Sequence, residues 1–130
     1  MVAMEIVSAE NATRGSVLAE HTERTTRAGE RLRGLLGRDG LPHGHALLIE
    51  PCNSIHTFFM RFPIDVLFLD REGQVVRALP RLRPWRATRV YLAAHSVLEL
   101  WPGALEERPV APGDRLRFLP GSLTASSRTG

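Results

Sequence analysis

The feature that most constrains this chain is the apolar run IDVLFLD (64–70), set between Pro63 and the turn sequence DREGQ. A strand this apolar predicts burial on both faces, which places it inside a sheet rather than at its margin. The turn and the following QVVRAL (74–79) predict an antiparallel return. Other short stretches carry the same signature. MEIVSA (4–9) and SVLAEH (16–21) predict a hairpin, with Asn11 and Gly15 supplying the turn. ALLIE (46–50), HSVLELWPG (95–103) and APGDRLRFL (111–119) predict three further strands, and ALEERPV (104–110) a short helix or loop. One longer helix is predicted near residues 23–36. It would be capped by Thr22 or Thr25, carry Leu32, Leu35 and Leu36 on one stripe, and end at Gly37 or Gly40.

These elements predict an α+β fold. It is a single compact domain over 1–119, mostly antiparallel β-sheet or a partly closed barrel, followed by a mobile tail over 120–130. The length of 130 residues and the 43% hydrophobic content suit one core. Mean hydropathy is −0.12. No apolar run approaches the roughly 20 residues of a membrane span. MVAMEIVSAEN is not a signal peptide, and one cysteine forms no internal disulfide, so the sequence predicts a cytoplasmic protein.

The net charge is +3 and every basic residue is arginine. RALPRLRPWRATR (77–89) places Arg77, Arg81, Arg83, Arg86 and Arg89 around Trp85 with no acid among them. Such a loop is suited to an anionic or acidic partner, since guanidinium groups make forked hydrogen bonds to phosphate and carboxylate. A charge of +3 is weak for a dedicated nucleic-acid binder and no nucleic-acid motif is present, so a small anionic ligand or a protein is the expected partner.

Candidate chemistry lies in PCNSIHTFFMRFPIDV (51–66). Cys52, His56, Met60 and Asp65 are a possible soft-metal set or a nucleophile and base. On a regular strand, residues four apart lie about 13 Å from each other, so Cys52 and His56 would share neither an ion nor a proton unless the chain reversed between them. No metal or cofactor is predicted. An enzyme would use His56 as base with Asp65 or Cys52 as its partner. Asp65 and Glu99 are acids in apolar strands and need partners. Arg61 and the arginines of the predicted helix are candidates for Asp65, and Asp65 would fix the turn at 60–63. A binding domain would gather Arg33, Arg38, His56, Arg61, Asp65 and Glu99 into one polar, anion-binding site. A third possibility is an interaction module using the arginine loop alone.

Three blocks carry a resemblance to a known family. ERLRGLLGR (30–38), FFMRFPIDVLFLDREGQVV (58–76), and VLELWPG (97–103) with PGDRLRF (112–118) resemble, in order and spacing, the motifs of the DUF192 (UPF0127) domain. The match covers roughly residues 4–119. Phe59 stands where the family usually has tryptophan, and Arg61-Phe62 where it has a lysine–asparagine–threonine stretch. Roles of those polar residues therefore do not transfer to this chain. The resemblance implies a compact, β-rich α+β domain. It implies no reaction, since the family has no established biochemical activity. Many relatives carry an export signal or a membrane anchor.

Overall fold

The computed structural model describes residues 5–25 and 38–120. Seven strands form one sheet: β1 (Glu5–Asn11), β2 (Ser16–Thr25), β3 (His45–Ile49), β4 (Ile64–Leu69), β5 (Val75–Leu82), β6 (Ser96–Leu100) and β7 (Leu116–Leu119), in the order β5-β4-β6-β3-β2-β1-β7. A short helix, α1 (Ala104–Glu107), follows β6. All pairings are antiparallel except β2 with β3. That parallel pair needs a crossover connection, which runs through residues 26–44. No helix among the described residues is long and apolar enough to cross a membrane.

The run IDVLFLD occupies the interior position its composition requires. Every residue of β3, β4 and β6 is buried, apart from half-buried His45. Because side chains alternate, each of these strands supplies both faces. Leu48, Leu98 and Leu67 line up across one face, and Leu47, Glu99 and Val66 across the other. Fully burying a side chain of this size contributes about 1.5–3 kcal/mol.

The sheet curls until its margins meet at one corner. Val75 N–H donates to Asp114 O at 2.8 Å, and Leu116 N–H donates to Gly73 O at 2.9 Å. This is the partly closed barrel, a half-barrel with one open side. Gly73 sits at the seam with φ 85°, and a Cβ there would meet the carbonyl oxygen of Leu116 at 2.6 Å. Asp114 secures the same corner, accepting from Arg14 Nε and Asn11 Nδ2.

The helix expected near 23–36 starts too early. Thr22, Glu23, Arg24 and Thr25 extend β2, because β1 and β3 both offer them ladder partners: Thr22 pairs with Val7 and with Ala46. The Thr22 hydroxyl caps no helix; it donates to Ala19 O at 3.1 Å. Tertiary pairing here overrides local capping signals. The rest of that helix, including Arg33, and the tail from 121 onward lie outside the described residues.

The β-branched and aromatic residues of SIHTFFMRF (54–62) favour a strand, but the chain forms no regular strand there. Apart from a single bridge between His56 and Ala87, the segment is bends and turns. It pairs with the arginine loop by scattered backbone bonds: Tyr91 N–H to Asn53 O (3.0 Å), Thr88 N–H to Ile55 O (2.9 Å), Thr57 N–H to Arg86 O (2.8 Å) and Trp85 N–H to Thr57 O (2.9 Å). Residues 53–60 and 83–91 thus form an irregular antiparallel ribbon. Tyr91 packs its ring on Phe68 at 4.5 Å, so the ribbon lies against the face of the sheet that carries Phe68 and Val66.

Candidate functional site: the aromatic and arginine ribbon

Thr57 is the residue around which the ribbon is built. It is fully buried. Its hydroxyl donates to Arg83 O at 2.6 Å and accepts from Arg86 N–H at 2.9 Å. Thr88 repeats the device, its hydroxyl accepting from Ile55 N–H at 3.0 Å. Two threonines therefore do for the ribbon what a ladder does for the sheet. Met60 and Phe62 turn inward and join the core.

The side chains between these anchors turn outward. Phe58, Phe59 and Trp85 are 38%, 68% and 56% exposed. The rings touch in sequence: His56 stacks on Phe58 at 4.8 Å, Phe58 lies 6.1 Å from Trp85, and Trp85 lies 4.6 Å from Phe59. Phe59 and Trp85 both have left-handed backbones, with φ of 68° and 64°. A bulky residue in that region costs about 1–3 kcal/mol and persists only where the surroundings impose it.

The arginines divide into two groups. Arg61 pairs with Asp39 at 2.8 Å and Arg81 with Glu106 at 3.0 Å. Arg77, Arg83, Arg86 and Arg89 have no carboxylate partner among the described residues. Arg89 instead lies over the Tyr91 ring at 5.7 Å. Neither 51–64 nor 77–98 contains an acid, so nothing on the ribbon itself neutralises these groups.

Of the six residues expected to form one polar site, the five that are described do not converge on each other. Arg38 pairs with Glu23 at 3.2 Å, Arg61 with Asp39, and Arg33 lies outside the described residues. Asp65 is fully buried and accepts three backbone amides: Arg81 and Leu105 at 2.8 Å and Gly103 at 3.3 Å. It is a structural carboxylate. It ties the end of β5 to the start of α1, and not the 60–63 turn or an arginine side chain. Glu99 is buried in β6, opposite Leu47 and Val66. No arginine pairs with it among the described residues, and burial pushes its pKa up to about 8.

The paired groups of an enzyme are likewise apart. His56 Nδ1 accepts from Phe58 N–H at 3.3 Å, Cys52 Sγ donates to Ser54 O at 3.1 Å, and both carboxylate oxygens of Asp65 are taken by amides. Among the described residues no three His, Cys, Asp or Glu side chains are placed to hold a metal ion.

One cluster had no signal in the sequence. His45 opens β3 and places its ring 4.3 Å from that of His21 on the neighbouring strand. Burial lowers the His45 pKa, helped by His21 and Arg38 and opposed by Glu23. Only the parallel register of β2 and β3 brings these residues together.

The DUF192 family model, described as uncharacterized ACR, matches residues 9–118. A UPF0127 protein of Pyrococcus abyssi is 40% identical over 82 residues, spanning 58% of this chain and 69% of its own length. A UPF0127 protein of Thermococcus gammatolerans is 32% identical over 112 residues, spanning 83% of this chain and 72% of its own. Among solved structures, a protein of Sinorhizobium meliloti described as a candidate transcription regulator is similar in fold. Its TM-score is 0.74 at 24% identity, over 89% of this chain and 94% of the other. With the motifs in order along one half-barrel and a family match across nearly all of the sheet, the chain belongs to the DUF192 family, whose biochemical function is uncharacterized.

Proposed function

We propose that this domain is a non-enzymatic binding module, and that the ribbon is its binding face for a polyanionic partner. One observation carries the reading. Phe59 and Trp85 are held in strained backbone conformations with their rings in solvent, beside arginines that have no acid partner among the described residues. The scaffold bears the cost of that strain without burying either ring, which is the pattern expected of groups kept for a partner. Of the residues first assembled into a polar site, His56 and Arg61 belong to the ribbon, while Asp65 and Glu99 belong to the sheet beneath it. The candidate acid–base groups are each hydrogen-bonded elsewhere, which favours binding over catalysis.

The test compares two triple variants of equal charge. Arg83, Arg86 and Arg89 are replaced by alanine in one, and Arg71, Arg115 and Arg117 in the other. Both are titrated with poly-L-glutamate, an oligothymidylate and anionic vesicles. A ribbon site predicts that the first variant loses binding to the preferred probe and the second keeps it. Equal losses would mean that only net charge matters, and would end the proposal.

A further inference from the structure

Seven large hydrophobic side chains are exposed among the described residues, and five of them, Phe58, Phe59, Trp85, Val90 and Leu92, lie on the ribbon or at its end. Leu92 is 90% exposed. We infer that the ribbon docks the domain on an anionic lipid bilayer, with these side chains entering the interface and Arg83, Arg86 and Arg89 meeting lipid phosphates. This inference rests on the binding function proposed above.

Three observations favour a bilayer over other polyanions. First, the rings pack among themselves: His56 stacks on Phe58 at an interplanar angle of 24°, and Trp85 is tilted at 31° to Phe58 and at 58° to Phe59. A single-stranded nucleic acid needs open ring faces on which successive bases stack. Second, Phe59 and Leu92 stand out from the surface. An acidic protein would have to supply a fitted socket for each, whereas a lipid interface deforms around them. Third, the mixture is that of an interfacial surface: tryptophan, phenylalanine and leucine beside arginine, with no carboxylate to be repelled by anionic headgroups. Guanidinium groups make forked hydrogen bonds to phosphate. Thr57 and Thr88 hold the ribbon in shape before contact, so little ordering is left to binding.

The experiment is co-sedimentation of the full chain with phosphatidylcholine vesicles, with and without phosphatidylserine. Poly-L-glutamate and an oligothymidylate are titrated in parallel. The protein should sediment with the anionic vesicles only. Its emission should shift to the blue, reporting Trp85, since Trp101 is already buried. Each arginine near the surface raises partitioning about fivefold, so alanine at 83, 86 and 89 should lower it about a hundredfold. The pair Phe59→Ala and Leu92→Ala removes only exposed groups, so the fold should survive while partitioning drops about tenfold.

Failure to sediment with anionic vesicles, or an unchanged affinity in the Phe59/Leu92 pair, overturns the bilayer assignment. If poly-L-glutamate or the oligonucleotide is bound through the ribbon instead, the binding function stands and only the lipid partner falls. No binding to any of the three probes overturns both.

Discussion

The two tryptophans of this chain show how differently one residue type is used in two regions. Trp101 directly follows the interior strand β6 and is buried. His43 packs on it at 4.7 Å and the Arg108 guanidinium lies over it at 5.3 Å. Arg108 also donates to Leu18 O at 2.9 Å, so the arginine and the indole serve one joint between β2 and the segment after β6. Trp85 also has rings and arginines around it, but it is exposed, its backbone is strained, and its neighbouring guanidiniums have no acid partner among the described residues. In the sheet, aromatic and cationic groups complete each other. On the ribbon they are left available, and the difference locates the surface on which to look for a partner.

The largest test of this contrast falls on the sheet. Asp65→Ala leaves three part-buried amides without their acceptor. At about 1.5–3 kcal/mol for each hydrogen bond to a charged group, the three together should cost about 4.5–9 kcal/mol in chemical denaturation. A loss below about 1 kcal/mol would show that water replaces the carboxylate, and that the corner is open enough to be a site.

Next are the tryptophans themselves. Trp101→Ala should cost about 3–5 kcal/mol. Trp85→Ala should change stability by no more than about 0.5 kcal/mol, as for surface positions generally. Similar losses in the two variants, measured by urea titration, would erase the distinction between them.

Glu99 sharpens the comparison through pH. Burial holds its folded pKa at about 8, above the ordinary carboxylate value of 4.5. The folded state therefore binds the proton more tightly than the unfolded chain does. The associated stability is fully present below pH 4.5 and is lost as pH rises through 8. Glu99→Gln should flatten that fall and be more stable than the natural chain above pH 8, by a few kcal/mol. A flat profile in the natural chain would mean that a cation neutralises Glu99, making it part of a polar network after all.

The smallest effect is the most discriminating. Phe59→Gly relieves a left-handed backbone and removes an exposed ring, so thermal stability should stay level or rise by up to about 1 kcal/mol. Binding to anionic vesicles should fall in the same variant. Loss of stability instead would mean that the Phe59 ring holds the ribbon together.

Much of the sheet was legible because it depends on local pattern. IDVLFLD, the turn at 70–74 and the β1–β2 hairpin each carry their own composition signal, and the family motifs confirmed their order. What was illegible depends on pairing over long separations. Asp65 finds its amides 16, 38 and 40 residues away, and no spacing rule reveals such partners. Alternation along a strand puts Phe58 and Met60 on one face, yet Phe58 is outside and Met60 inside. The left-handed turn at Phe59 breaks the period of two, and nothing in a pair of phenylalanines signals it. The arginine loop was visible as composition; that it is laced to the His56 segment by Thr57 and Thr88 was not.

The corner where β5 meets β7 also bears on how copies of the chain behave towards one another. A sheet margin with free amides and carbonyls is a template on which another chain can add a strand. Here the two margins occupy each other at Gly73 and Leu116. Further along β5, Pro80 offers no amide, and Arg77 adds like charge against an approaching copy. A domain that displays apolar residues on a separate ribbon is thereby guarded against growing into a continuous sheet.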